Sequence, residues 1–230
     1  MVNSGFRIFN KINRPDKNLT NQFQDLPVAN IADEMNRVSC MDARIRPVNT
    51  IPLLGTAFTV KARVGDNLML HRAIDMAEPG DVIIVDGQGD LANSLIGENM
   101  MMWAHRRGLA GMVIDGAVRD IDSLRQLDFS VYAAGVQPNG PYKVGPGEIN
   151  VPVSCGGIVV YPGDIIVGDS DGVVVIKAAD APTILEKAKS KLTQELASRE
   201  AIANGTWDRS AYIEEALKKK GCEIIDDYYK

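Results

Sequence analysis

Short apolar runs without polar interruption are the feature that most constrains the fold of this chain. Val82–Val85 and Val173–Ile176 contain only valine and isoleucine. Half-buried strands alternate polar and apolar residues, whereas uninterrupted runs are typical of strands that are covered on both faces. Strand signals of this kind fall at 56–63, 81–86, 111–115, 130–134, 158–160, 164–168 and 172–177. The sequence therefore predicts a sheet with packed layers on both sides.

Helical patterns alternate with these strands. They fall at 27–37, 66–77, 93–107, 121–127 and 181–203, with a short helix near the C-terminus at 212–220. No low-complexity linker divides the alternation, which is typical of an α/β fold. We predict one mixed α/β domain over 26–205, an N-terminal arm over 1–25 and a C-terminal tail over 206–230. The arm is polar, so we expect its order to come from packing on a neighbour.

Composition narrows the function classes. A chain of 230 residues that is 45% hydrophobic can bury a substantial core, and its net charge of −5 argues against non-specific nucleic-acid binding. It has neither an apolar run of about 18 residues nor an apolar leader, so we expect no membrane span and no signal peptide. Three widely spaced cysteines fit a reducing cytoplasm. With only two histidines, any metal is expected to be a hard ion such as Mg²⁺ or Mn²⁺, bound through oxygen.

The first candidate site is the pair Arg119-Asp120. The strand pattern at 111–115 ends in Asp115-Gly116, and the pair stands at the start of the next helical pattern. α/β proteins place their chemistry where a strand ends and a helix begins. An adjacent cation and carboxylate can there hold an anionic substrate and a metal ion together. The alternative is an exposed arginine beside an aspartate that is a solvated helix N-cap.

The second candidate is the helix start at Gly97-Glu98-Asn99-Met100. Free backbone N–H groups and the helix dipole could hold a carboxylate there. The alternative is an ordinary helix start with Glu98 in a favourable first-turn position.

Other polar residues have simpler interpretations. His71 lies on an apolar helix face and is interpreted as a packed histidine. Lys61 and Lys177, in or at the end of apolar strands, could form Schiff bases, although a lysine that ends a strand is expected to reach water. The run Asp86–Asp90 lacks the spacing of a nucleotide-binding loop or an EF-hand, and we expect a loop that lines a pocket.

Nine short motifs, taken in order, carry a family resemblance. They are Gly65-Asp66-Asn67, Pro79-Gly80-Asp81, Asp86-Gly87, Gly97-Glu98, Arg107-Gly108-Leu109-Ala110-Gly111, Asp115-Gly116-Ala117-Val118-Arg119-Asp120, Gly135-Val136-Gln137-Pro138-Asn139-Gly140-Pro141, Gly156-Gly157 and Pro162-Gly163-Asp164. Across roughly 26–205 the series resembles the RraA-like family, which includes 4-hydroxy-4-methyl-2-oxoglutarate / 4-carboxy-4-hydroxy-2-oxoadipate aldolases. The resemblance implies a three-layer β/β/α swivelling-domain fold and a homotrimer or a dimer of trimers.

The resemblance also implies class II chemistry, with pyruvate or its enolate bound to Mg²⁺ or Mn²⁺. Carried over by position, Asp120 is the metal ligand and Arg119 binds the substrate. The backbone N–H groups of Gly97, Glu98, Asn99 and Met100 hold the substrate carboxylate. A carboxylate from a neighbouring subunit approaches the metal waters; Glu195 is the best match, with Glu200 as the alternative.

We therefore expect a metal-dependent lyase that cleaves 4-hydroxy-2-oxo acids to pyruvate and a second oxo acid, with oxaloacetate decarboxylation as a side activity. Arg119 would stabilise the keto oxygen as it gains charge, and Glu98 or Glu195 would steer the water that accepts the 4-hydroxyl proton. The expected partner is a small oxo acid, not nucleic acid or a membrane. Two alternatives stay open, a non-catalytic RraA-like regulatory or binding protein and a lysine-dependent class I enzyme. Regulatory members lack the aspartate after the arginine and the long C-terminal helix, so Asp120 and 181–203 favour the enzyme.

Overall fold

The computed structural model describes residues 3–228. The strands are β1 (Phe6–Ile8), β2 (Arg46–Pro47), β3 (Leu53–Ala62), β4 (Asp81–Ile96), β5 (Gly111–Val118), β6 (Ser130–Val136), β7 (Gly147–Ile149), β8 (Val153–Cys155), β9 (Ile158–Val160), β10 (Ile165–Asp169) and β11 (Gly172–Ile176). The helices are α1 (Lys17–Asn21), α2 (Val28–Glu34), α3 (Leu68–Met76), α4 (Glu98–Arg106), α5 (Ile121–Gln126), α6 (Ala181–Ala203) and α7 (Ser210–Lys219). The chain divides after Lys189 into two compact units.

Four parallel strands, β3 to β6, form the centre of the sheet in the first unit. The strand order is β1-β7-β3-β4-β5-β6-β2, and β10 and β11 extend from β3. On one side, β3 pairs in parallel with β4. On its other side, it pairs in antiparallel fashion with both β10 and β7. The carboxyl ends of parallel strands meet at one edge, so the residues that follow β4 and β5 become neighbours.

The central strands separate two hydrophobic cores. Ile83 and Ile114 belong to the core that includes side chains of α3 and α4. Ile84 and Val113, one residue away in each strand, belong to the other core, which includes side chains of β8 to β11. Because side chains alternate across a sheet, each uninterrupted apolar run fills both cores. The fold confirms the mixed α/β class and the β/β/α layering that the resemblance implies.

The sequence prediction was wrong between residues 86 and 97. The stretch expected to be a helix from residue 93 continues β4 as far as Ile96, and α4 begins only at Glu98. Asp86–Asp90 is likewise part of β4, with register shifts that mark bulges, and is not a separate loop. Tertiary pairing explains the difference, because the Ser94 N–H donates to Asn139 O at 2.8 Å and Ile96 pairs with Val118.

The N-terminal segment packs on the domain of its own chain. Strand β1 pairs in parallel with β7, and Phe23 is fully buried. Arg14 donates two hydrogen bonds to the Asp81 carboxylate, at 3.0 and 2.7 Å. Packing on a neighbour is therefore not needed to order this segment. Its polar composition hides these contacts from sequence inspection.

Helix α6 begins in the first unit, where Ala181, Ile184, Leu185 and Ala188 are buried. In the second unit, α7 has no buried residue. Among residues 3–228, no helix is both long and apolar enough to span a membrane.

Candidate active site

The Arg119-Asp120 pair follows β5 directly and is tied to the end of β4. The Arg119 N–H donates to Ile96 O at 3.1 Å, and Asp120 O accepts the first helical hydrogen bond of α5, from the Leu124 N–H at 3.0 Å. Asp120 adopts a left-handed backbone conformation, with φ 61° and ψ 40°. Aspartate tolerates this region better than most residues, and non-glycine residues held there cluster at functional sites.

The Asp120 carboxylate turns away from its own helix. It makes no capping hydrogen bond to α5. Its Oδ2 instead accepts the backbone N–H of Glu98, at the start of α4, at 3.0 Å. Its Oδ1 has no hydrogen-bond partner within residues 3–228, and the side chain is 44% exposed. Asp120 is therefore the half-exposed N-cap residue of α5 by position, but its carboxylate holds the start of α4 and does not cap its own helix.

Close approach between the two segments requires the glycine at position 97. Its φ of −140° is extended backbone that any residue can adopt. A Cβ there would nevertheless collide with Asp120 Oδ2 and lie 3.1 Å from Arg119 Cγ. The absence of a side chain at Gly97 therefore lets the helix start, the carboxylate and the arginine meet.

The Arg119 guanidinium lies beside this carboxylate with its donors unused. Nε is 3.8 Å from Asp120 Oδ2, and the side chain is 44% exposed. A Cβ added to Gly140 would lie 3.1 Å from Arg119 Nη1, so the head group reaches the loop after β6. The guanidinium donates no hydrogen bond to any residue that the structure describes. A planar set of donors is therefore free to meet an anionic oxygen.

A cavity of about 290 Å³ opens at this point. It is lined by Asn67, His71, Leu95, Ile96, Gly97, Asn99, Met100, Arg119, Asp120, Pro141 and Lys143. The lining therefore includes five of the predicted site residues, Gly97, Asn99, Met100, Arg119 and Asp120. A larger cavity of about 580 Å³ lies beside α2, where the Asp169 carboxylate is already engaged by the Val28 N–H at 3.0 Å.

The side chains of two predicted catalytic residues, Glu98 and Glu195, do not line the cavity. Glu98 contributes its backbone N–H to Asp120, but its side chain is not among those that line the cavity. Glu195 lies on α6 in the second unit, with Oε2 3.7 Å from Nη2 of Arg199. The role of Glu195 near a neighbouring subunit, and of Glu200 as the alternative, stays a prediction.

Sequence inspection missed the wall that α3 and the loop before β7 contribute. His71, interpreted as a packed histidine, lines the cavity together with Asn67 and Lys143. His71 Nε2 and Asn67 Oδ1 are buried without a hydrogen-bond partner in the described part of the chain. Burial lowers the pKa of His71, and the charge of Lys143 lowers it further. The available signal was the four-residue spacing of Asn67 and His71, which places both on one helix face.

The donor set fits a hard ion that keeps much of its shell open. Within residues 3–228, no group of three or more His, Cys, Asp or Glu side chains could hold a metal. One outward-facing carboxylate oxygen of Asp120 remains. Mg²⁺ is commonly held by one or two carboxylates, with water and substrate completing its shell, whereas structural zinc requires four protein ligands. The residues therefore fit Mg²⁺ or Mn²⁺ and not a structural zinc site.

Neither lysine considered for Schiff-base chemistry lines this cavity. Lys177 Nζ lies 2.6 Å from Asp164 Oδ2 and 4.2 Å from the centre of the Tyr161 ring. Both contacts engage the Lys177 ammonium group outside the lining of this cavity.

The fold and this site define a β/β/α-layered protein with a candidate active site at the carboxyl ends of its parallel strands. The RraA-like family, described as aldolase/RraA, matches residues 28–175, and the chain belongs to this family.

The chain resembles a protein with an aldolase name, a member of an RNase inhibitor family and an uncharacterised protein. A Halalkalibacterium halodurans protein, provisionally named a 4-hydroxy-4-methyl-2-oxoglutarate aldolase, is 38% identical over 197 residues, covering 85% of this chain and 94% of that protein. The structure of Streptomyces coelicolor RraAS2, described as an unusual member of the RNase ES inhibitor RraA family, superposes with a TM-score of 0.75 at 25% identity, covering 82% and 99%. An uncharacterised Pseudomonas syringae protein has the same fold, with a TM-score of 0.77 at 24% identity, covering 85% and 96%.

Proposed function

We propose that this protein is a divalent-metal-dependent class II aldolase that cleaves 4-hydroxy-2-oxo acids to pyruvate and a second oxo acid. The observation that carries the proposal is the Asp120 carboxylate, which is held by the Glu98 N–H at 3.0 Å and directed away from its own helix. It stands beside a guanidinium with free donors at the mouth of a cavity. The aldolase name of the Halalkalibacterium relative supports the same assignment.

The reaction requires a stabilised enolate. A base takes the proton of the C4 hydroxyl, the C3–C4 bond breaks, and its electron pair moves to C3 and the C2 oxygen as a pyruvate enolate. C4 becomes the carbonyl carbon of the second oxo acid, and a proton added to C3 completes pyruvate. When bound, Mg²⁺ or Mn²⁺ supplies Lewis-acid stabilisation of the developing negative charge. Oxaloacetate decarboxylation reaches the same enolate and is the expected side activity.

Each site residue has a role in this scheme. Asp120 would hold the metal ion, and Arg119 would donate hydrogen bonds to the C2 oxygen as its charge grows. The backbone N–H groups of Gly97, Asn99 and Met100 bind the substrate carboxylate at the helix start, whereas the Glu98 N–H already donates to Asp120 Oδ2. Glu98 or Glu195 steers the water that accepts the hydroxyl proton.

We further propose that the active site is completed by a neighbouring subunit in a homotrimer or a dimer of trimers. The second unit carries apolar side chains with little cover of their own: Leu196 is 53% exposed and Tyr212 is 68% exposed. Exposed apolar surface of this kind marks interaction sites. Closed symmetry would then repeat one shared site at every interface.

The experiment that tests the aldolase assignment is metal removal. Pyruvate release from 4-hydroxy-4-methyl-2-oxoglutarate should disappear with EDTA and return with Mg²⁺. A regulatory protein would release no pyruvate under either condition. A class I enzyme would keep its activity in EDTA and would be trapped by borohydride as a lysine adduct.

A further inference from the structure

A row of charged side chains crosses the sheet from β1 to β5. Neighbouring strands pair these residues in register: Arg7 with Glu148, Glu148 with Lys61, Lys61 with Asp86, and Asp86 with Asp115. Each pair joins opposite charges except the last. Asp86 and Asp115 lie on adjacent strands and are only 8% and 3% exposed. Two carboxylates buried side by side cannot both ionise without a cost in free energy, so this pair requires a physical explanation.

Only one of the two carboxylates is matched by a cation. Nη2 of Arg44 donates to both oxygens of Asp115, at 2.9 and 2.7 Å, and the Gly156 N–H donates to Oδ2 of Asp115 at 2.9 Å. Asp86 forms no salt bridge within residues 3–228. Its neighbour in the row, Lys61, is exposed, and only its charge acts on Asp86. Asp115 is therefore the ionised member of the pair, and Asp86 is the member that can keep a proton.

The surroundings of Asp86 favour its neutral form. Burial raises the pKa of Asp86, and the charge of Asp115 raises it further. The backbone N–H groups of Gln88 and Ser154 and the lysine charge act in the opposite direction without reversing the shift. The fully buried thiol of Cys155 adds no charge, because burial raises its pKa well above the ordinary value. The pair thus carries one negative charge at acidic pH and two after Asp86 has lost its proton.

The carboxyl pair lies where the regular pairing of β4 with β5 ends. The two strands pair residue by residue as far as Asp86 and Asp115, and the register shifts directly beyond them. In the bulge that follows, 87–90, Gln88 and Gly89 have positive φ angles of 59° and 70°. This conformation is strained for glutamine, and the Gln88 N–H donates to Asp86 Oδ1 at 3.1 Å. The pair therefore stands at the base of a strained bulge in the strand that leads to the candidate active site.

We propose that Asp86 and Asp115 form a pH-sensitive latch between β4 and β5. While Asp86 keeps its proton, the pair carries a single charge that Arg44 neutralises, and the strands stay paired as far as the bulge. When Asp86 releases this proton to solvent, two negative charges face each other and the pairing beside the bulge loosens. The stabilisation is complete below the ordinary pKa of an aspartate and is lost as the pH rises through the higher pKa of Asp86 in the folded protein. None of the catalytic roles proposed above uses either carboxylate.

Melting curves across a range of pH test the latch, and they require neither metal nor substrate. Asparagine has the shape of a protonated aspartate, so Asp86→Asn should match the wild type at about pH 4 and gain on it as the pH rises. At about pH 8, we expect its Tm to exceed that of the wild type by about 2–4 °C. Asp122→Asn is the matched control, because the Asp122 side chain is 90% exposed. It should follow the wild type at every pH.

Carboxyl NMR titration of the wild type measures the proton itself, whether or not Asp86→Asn folds. The Asp86 signal, assigned through its own backbone resonances, should titrate above the ordinary range of an aspartate, and the Asp115 signal should stay that of a carboxylate. Lys61→Met changes an exposed residue and removes a charge that favours the ionised form of Asp86. In this variant, the Asp86 midpoint should therefore move further upward.

Amide hydrogen exchange locates the loosening. Protection factors of the amides around Asp86 and Asp115, corrected for intrinsic exchange, should be lower at about pH 8 than at about pH 5 in the wild type and equal in Asp86→Asn. The amides of the β10–β11 hairpin should not change. An Asp86 signal in the ordinary aspartate range, an equal Tm of Asp86→Asn and the wild type at every pH, or unchanged protection beside the bulge would each overturn the latch.

Discussion

Gly97→Ala tests whether the meeting of α4 with the Arg119-Asp120 pair creates the site. The new Cβ would collide with Asp120 Oδ2 and lie 3.1 and 3.2 Å from Arg119 Cγ and Nε. Because φ is −140°, alanine adopts the backbone conformation without strain. Any effect of the substitution therefore comes from the steric contact of the new Cβ. The carboxylate must rotate away and lose the 3.0 Å hydrogen bond from the Glu98 N–H.

The expected effects on stability and on activity differ in size. The lost hydrogen bond joins a half-exposed carboxylate, so solvent screening limits the cost to about 1 kcal/mol. For a chain of this length, that lowers Tm by about 2–4 °C. A displacement of a catalytic group by about 1 Å can cost on the order of 10²-fold in rate. We therefore expect Mg²⁺-dependent pyruvate release to fall by that factor or more.

Gly80→Ala is the matched control. Gly80 has a φ of 91° and no heavy atom within 4 Å of an added Cβ, so alanine there causes backbone strain without a collision. The strain costs about 1–3 kcal/mol, at a position outside the cavity lining. Melting curves and initial rates measured on the same preparations separate the two effects. If Gly97→Ala retains wild-type turnover, or loses no more than Gly80→Ala, the steric argument is refuted.

Three further predictions follow from the same geometry. Arg119→Lys should reduce kcat by on the order of 10²–10³, because an ammonium cannot replace the planar donors; full kcat in this variant would make Arg119 structural. In NMR titrations, the pKa of His71 should lie below its ordinary value and rise in Lys143→Met, because removing a nearby positive charge favours the imidazolium; an unchanged His71 pKa in that variant would refute the contact. Mixing inactive Asp120→Ala subunits with inactive Glu195→Ala subunits should restore activity, and confirmed mixed oligomers without activity would refute a shared site.

The sequence predicted the layers of the fold because they depend on local patterns. Uninterrupted runs such as Val82–Val85 fill both cores, whichever strands lie beside them. The short strands β1 and β7 were missed for the opposite reason. Each has three residues, too few to show an alternating hydrophobic pattern. The two strands also pair residues that are far apart in the sequence, such as Phe6 and Gly147.

The residues of the candidate site also fall into those that local sequence patterns reveal and those that depend on long-range contacts. Arg119 and Asp120 could be found from sequence because a strand, a turn and a helix start are adjacent in the chain. Lys143 could not, because its position depends on the long-range hydrogen bonds that the N–H groups of Val144 and Gly145 donate to the Asp66 carboxylate. The left-handed backbone conformation of Asp120 could not be predicted either, because it accompanies a long-range hydrogen bond from the Arg119 N–H to Ile96 O at the end of β4.

The most direct test of the central claim is the initial rate of pyruvate release by Asp120→Ala at saturating Mg²⁺, with 4-hydroxy-4-methyl-2-oxoglutarate as substrate. Asp122→Ala is the matched control, because Asp122 is two residues away and its side chain is 90% exposed. We expect unchanged melting and wild-type rates for Asp122→Ala. Asp120→Ala loses the hydrogen bond from the Glu98 N–H, so its Tm should fall by about 2–4 °C. Its rate should fall by on the order of 10³-fold or more, since the metal would stabilise the enolate. Near-normal turnover by a folded Asp120→Ala would contradict the central claim.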